Sequence, residues 1–227
     1  MARVLILDTS TDSSEHIHIR GALGPGDDVD VRLLNERQSV PAPRGYDLAI
    51  HTGSAFSIVE DAPFQAALFG FIRAASSAGL PQFGICYGHQ ALCRALVGDP
   101  AVRRVPGGVE AGWCEVRITP TGRVLLGTEA RIAVFQFHFD EVVALPPGAR
   151  RIAWNGHTRV QGFLDRARRL VGVQFHPEFD EGSGNRVFRE AADLLERNGL
   201  SADRVTVGGP SGFHMRRMLE ATMGLAG

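Results

Sequence analysis

The sequence contains no lysine: all 24 basic side chains are arginine. This excludes chemistry that needs a lysine amine, such as a Schiff base, a pyridoxal anchor or the phosphate-binding lysine of a P-loop. An ATP-driven step of the P-loop kind would fall to another chain. Cysteine is scarce too. Cys86, Cys93 and Cys114 are odd in number and lack CxxC spacing, so neither a disulfide framework nor a zinc site is expected. His51, His89 and His157 show no ligand spacing with one another, and no metal or other cofactor is expected. No run approaches the roughly 20 apolar residues that cross a bilayer, and the N-terminal MARVLILDTS lacks the layout of a signal peptide. An excess of charge is also missing: 24 basic against 25 acidic residues give a net charge of −1, so neither nucleic acid nor a membrane is expected as partner. The expectation is a cytoplasmic protein of 227 residues forming one domain over 1–227, with 199–227 as a C-terminal extension of unassigned role.

What is present is an alternation of short apolar runs and helical periods, which predicts an α/β fold with parallel strands and crossover helices. Strands are expected at Arg3 to Leu7, Asp30 to Leu34, Tyr46 to His51 and Gln82 to Ile85. A helix is expected from Pro63 to Ser77, where Phe64, Leu68, Phe71, Ile72 and Ala75 form one stripe, and another from His89 to Val97. The second half reads as β-rich with antiparallel pairs. Its candidates are Cys114 to Ile118, Ile132 to His138, Arg151 to Trp154, Val160 to Leu164 and Leu170 to Phe175. Helices near Asn185 to Arg197 and Gly212 to Thr222 close the chain, with Leu200 to Gly209 unassigned.

The segment GICYGHQ, Gly84 to Gln90, carries the strongest chemical signal. It sets Cys86 between a strand and a helix with a glycine two residues away on each side, the layout of a nucleophile elbow with sulfur as nucleophile. The sharp turn strains the backbone at the nucleophile and places it at the positive end of a helix, where the thiolate is favoured. A lone cysteine is more often a buried small hydrophobe; the elbow reverses that reading. A thiolate acting on an amide needs a histidine oriented by a third group. QFHPEF, Gln174 to Phe179, offers both, because Pro177 favours an extended path on which His176 and Glu178 face the same side.

With these two segments the chain resembles a class I (triad) glutamine amidotransferase over about Val4 to Phe179. The resemblance implies a three-layer sandwich with a mostly parallel central sheet, flavodoxin-like, and a β-rich C-terminal half. It implies a Cys86-His176-Glu178 triad that attacks the side-chain amide of glutamine, releases ammonia and leaves a γ-glutamyl thioester for water to hydrolyse. The oxyanion hole maps to the backbone N–H groups of Gly53 and Tyr87, and Gln90 to a residue that helps hold glutamine. Two departures stand out. Thr52-Gly53-Ser54 replaces the family's Gly-Gly-Pro turn. FHFDEV, Phe137 to Val142, brings Phe137 and Phe139 to a wall that is less bulky in relatives, so Phe137 and His138 become candidate substrate contacts. Each has an equal alternative as a fold residue, and Asp140 reads as ordering the turn.

The leading expectation is a stand-alone amidotransferase or glutaminase. The roughly fifty residues after the triad are too few for a synthase domain, so ammonia would pass to a separate acceptor protein. A γ-glutamyl peptidase or hydrolase is the neighbouring alternative, since the Phe137-Phe139 wall suits a leaving group larger than ammonia. A catalytically idle binding protein and an α/β-hydrolase are further alternatives. The latter usually orders its triad nucleophile, acid, histidine, whereas here histidine precedes the acid.

Overall fold

The computed structural model describes all residues except 128, 212–214 and 227, with the side chain of residue 226 also outside the description. The first strand, β1 (Arg3–Asp8), is apolar on both faces, as a strand covered on both sides must be. Parallel to it run β2 (Asp28–Leu33) on one side and β3 (Leu48–His51) on the other. Next come β4 (Gln82–Ile85), parallel to β3, and β11 (Leu170–Val173), parallel to β4. The sheet then turns antiparallel through β10 (Gly162–Asp165), β9 (Arg150–Trp154), β6 (Glu110–Ile118) and β7 (Arg131–His138). The order is β2-β1-β3-β4-β11-β10-β9-β6-β7, a parallel half joined to an antiparallel half at β11. A small antiparallel ladder of β5 (Val102–Arg104) and β8 (Asp140–Val142) lies apart from it.

Alternate side chains feed two cores. Val4, Ile6, Leu48, Ile50, Phe83 and Ile85 pack on one face, under α1 (Glu15–Arg20) and α8 (Met215–Met223). Leu5, Leu7 and Ala49 pack on the other, under α2 (Gln65–Ser77) and α3 (Tyr87–Val97). The α2 stripe of Leu68, Phe71, Ile72 and Ala75 is buried as its spacing predicts; each large apolar side chain so enclosed stabilises the fold by about 1.5–3 kcal/mol. A third cluster, centred on Phe135, Phe179 and Phe188, joins β7 to α5 (Glu181–Glu190), α6 (Ala192–Arg197) and α7 (Ala202–Val205).

Several expectations are corrected. The second strand begins at Asp28, and Tyr46 lies ahead of β3 with its hydroxyl donating to Asp30. The helix after Cys86 begins at Tyr87 rather than His89. β6 reaches back to Glu110 through Gly112, a glycine at φ 125° that reads as a strand breaker in sequence yet pairs with Gln136. The strand expected to start at Val160 starts at Gly162, and that expected to reach Phe175 ends at Val173. The helix expected from Asn185 to Arg197 starts four residues earlier and breaks at Ala191 into α5 and α6. Its early start follows from a capping box in which Asp180 and Ser183 exchange side chain–backbone bonds. Helix α1, the four-residue α4 (Arg123–Leu126), α7 and the β5–β8 ladder have no counterpart in the sequence pattern. The expected helix from Gly212 is seen from Met215 onward, and its first three positions lie outside the described residues. No helix among the described residues is long and apolar enough to cross a membrane.

Candidate active site

Cys86 sits between β4 and α3 with φ 49° and ψ −105°, a conformation that a non-glycine residue adopts only when its surroundings enforce it. Its N–H donates to Val173 O at 2.9 Å and its carbonyl accepts from Gln90 N at 3.1 Å, so sheet and helix hold it from both sides. The glycine that follows is compulsory: a Cβ on Gly88 would lie 2.2 Å from the carbonyl oxygen of His51. Gly88 N donates to Thr52 O at 3.0 Å, tying the helix start to the end of β3. Tyr87 occupies the first helical position, where a backbone N–H has no intrahelical acceptor. Its hydroxyl accepts from Gln65 instead, inside the core.

Gly53 lies directly under the imidazole. A Cβ there would come within 2.7 Å of His176 Cε1 and 3.6 Å of Cys86 Cβ. The turn that carries it holds its shape without proline. Thr9 Oγ1 and Thr52 Oγ1 each donate to Gly53 O at 3.0 Å, Thr9 N donates to Thr52 Oγ1 at 2.9 Å, and Ser54 Oγ donates to Thr9 O at 2.6 Å. The hydroxyls of Thr52 and Ser54 thus fix this turn.

His176 follows β11, where its N–H donates to Phe135 O at 3.0 Å and ties it to β7. Its Nδ1 lies 2.6 Å from Glu178 Oε1, which leaves the other ring nitrogen toward Cys86. Burial alone would pull His176 down, but the facing Cys86 and nearby Glu15 carry it above the ordinary imidazole value. Burial pushes Glu178 up to about 7. The three groups are brought together as the sequence predicts.

Gln90 donates through Nε2 to Asp140 O at 2.8 Å and to Gln174 Oε1 at 3.0 Å, which turns its own oxygen into the acceptor available to a ligand. Gln174 in turn directs Nε2 at Cys86 Sγ, 3.7 Å away. Gln174 is the first letter of QFHPEF, and the sequence assigns it no role beyond its place beside His176. Phe137 and Phe139 both border the cavity, 6.3 Å apart between centroids. His138 lines the cavity as well, but with Nδ1 at 3.0 Å from Asp140 O and Nε2 at 2.9 Å from Glu110 Oε2 both of its nitrogens are engaged in the wall. Burial would raise Glu110, but His138 and Asn155 hold it below the usual carboxylate range. Asp140, expected to order the turn around it, begins β8 instead, and its side chain ties down the loop after β3, accepting from Ser57 Oγ at 2.7 Å and Ile58 N at 3.0 Å.

The cavity over Cys86 measures about 530 Å³ and runs from Ser10, Glu15 and Ser54 past the phenylalanines to Arg186 and Glu190. Glu15, His176 and Glu178 each present one polar atom within 4.8 Å of the others. A cation taking Nδ1 of His176 would have to displace Glu178. Cys93 and Cys114 stand apart from the site; burial raises both thiols, Cys114 to about 12.

The model of the glutamine amidotransferase class-I family matches residues 62–192, more than half of the chain and including Cys86, His176 and Glu178. The chain belongs to that family. Among its relatives, one subunit of a glutamine-hydrolyzing GMP synthase from Sulfurisphaera tokodaii is 30% identical over 64% of this chain and 74% of that protein. A glutamine-hydrolyzing GMP synthase of Parafrankia sp. is 44% identical over 45% of this chain, but the match spans only 18% of that protein. The crystal structure of a glutamine amidotransferase from Thermotoga maritima shares the fold with a TM-score of 0.75 and 24% identity, covering 99% of this chain and 94% of that one.

Proposed function

We propose that the chain hydrolyses the side-chain amide of glutamine through a cysteine thioester and that its ammonia serves a separate synthase protein. The observation that carries this reading is Cys86 held at a strained elbow opposite an imidazole fixed by Glu178. The Cys86 thiolate adds to the amide carbon, and the resulting oxyanion is met by the N–H groups of Gly53 and Tyr87. His176 gives its proton to the departing nitrogen, so ammonia leaves and a γ-glutamyl thioester remains. His176 then takes a proton from water, whose attack on the thioester frees glutamate and the thiol. Glu178 keeps the imidazole in the tautomer this requires, and Gln90 Oε1 receives the substrate ammonium. The Sulfurisphaera relative is one subunit of a larger synthase, which supports a partner chain that uses the ammonia. Free thiols at Cys86, Cys93 and Cys114 suit a reducing compartment, and the cytoplasm is the proposed location.

One observation favours a second reading. The cavity continues well beyond Cys86 along Phe137 and Phe139, as a γ-glutamyl conjugate with an apolar leaving group would require. Ammonia and glutamate release from glutamine by the purified chain, beside Cys86→Ala and a panel of γ-glutamyl peptides, tests both. Cys86-dependent ammonia release supports the first reading. Cleavage of peptides with silence on glutamine selects the second, and turnover that survives Cys86→Ala overturns both.

A further inference from the structure

We propose that Glu15 is a positioning residue of the triad, a protonated carboxyl that donates to the Glu178 carboxylate and holds it against His176. This rests on the triad reading above. Glu15 opens α1, after the end of β1, and its Oε2 lies 3.9 Å from His176 Nδ1, too far for a hydrogen bond. That nitrogen is already engaged by Glu178 Oε1 at 2.6 Å. The second oxygen of Glu178 and Oε2 of Glu15 are both enclosed, and neither meets a donor among the described residues. The polar atoms of Glu15, Glu178 and His176 converge within 4.8 Å. Two enclosed carboxylates at this range cannot both ionise, whereas one proton between them satisfies the orphaned oxygen on each.

The proton belongs on Glu15. Glu178 must present a carboxylate to the Nδ1–H of His176, so its partner is the donor. The electrostatics agree in direction: burial raises Glu15 well above the usual carboxylate range, with Glu178 and Asp8 adding to the rise and His176 opposing it. Asp8 comes from β1 and is itself bonded to His16 of α1 at 2.7 Å. His18, also on α1, packs edge-on to Phe179 and faces Asp12, Asp180 and Arg186 as well as His176. Among the described residues, no arginine is one of the groups that act on Glu15.

The test compares Glu15→Gln and Glu15→Leu in the full chain. It reads kcat, KM and the pH profile of hydrolysis, and separately the pH dependence of Cys86 alkylation by iodoacetamide. The amide of Glu15→Gln still donates to Glu178, so its kcat is expected within about threefold of wild type, with the alkaline limb moved to higher pH because the shared proton can no longer be lost. Glu15→Leu leaves Glu178 unheld, and kcat is expected to fall roughly ten- to a hundredfold with KM little changed. Wild-type kcat and profile in Glu15→Leu would overturn the proposal, as would a Glu15→Gln enzyme as slow as Glu15→Leu. If the wild type hydrolyses no γ-glutamyl substrate, the proposed function fails. The alkylation profile then decides Glu15 on its own: an unchanged profile in Glu15→Leu overturns the role, and a shifted one that Glu15→Gln restores supports it.

Discussion

At the scale of single residues the site depends on what is not there. Gly53 leaves room for His176, since an added Cβ would approach Cε1 to 2.7 Å. Gly53→Ala is therefore expected to lower kcat by roughly a hundredfold through a displaced imidazole. Circular dichroism and the melting curve should stay near wild type, because the clash meets a side chain and not the backbone. Ser54→Ala removes the donor to Thr9 O and is expected to cost about 1 kcal/mol in denaturant unfolding. Cys86, His176 and Glu178 were legible in the sequence because each needs one residue type at fixed spacing, whereas Gly53 came only from the family resemblance. The hydroxyl pegs of Thr9, Thr52 and Ser54, the Gln174 contact to sulfur and Glu15 were not. Their roles come from strands and loops that meet only in three dimensions, and a serine-rich stretch such as Thr9 to Ser14 reads as plain loop.

Among elements, the junction of β4 and α3 decides most. The helix enters so close to β3 that Gly88 rests on the His51 carbonyl, and that neighbour is backbone, which cannot swing aside. Gly88→Ala is expected to destabilise the fold by several kcal/mol, seen as loss of soluble protein or a sharply lowered urea midpoint. Elements with strong periodicity, such as α2, were readable, and so were the buried strands of the parallel half. Short helices were not, because the four to six residues of α1, α4 and α7 span too few turns to show a helical period. Helix α1 is stabilised by what it packs against, and β5 exists only through β8, nearly forty residues away.

Across the whole molecule, burial lowers two enclosed imidazoles away from the sulfur, the pKa of His51 to about 4 and that of His89 to about 3. Neutral in the folded state, both take up protons near pH 6.5 once unfolded. Their contribution to stability is thus complete above about pH 6.5 and is lost as pH falls toward 4, by about 1.4 kcal/mol per pH unit for each histidine. Urea midpoints measured from pH 7 to 4.5 should fall steadily, and a flat profile would contradict this assignment. The nine-stranded sheet also has a cost written into its centre. At ordinary helical sites alanine is more stable than glycine by about 1 kcal/mol. At the strained backbone of Cys86 the order should reverse, with Cys86→Gly melting above Cys86→Ala by a few degrees, about 2–4 °C for each kcal/mol in a chain of this size. The gap between the two melting points then measures, in free energy, what the fold gives up to hold one sulfur atom in its reactive orientation.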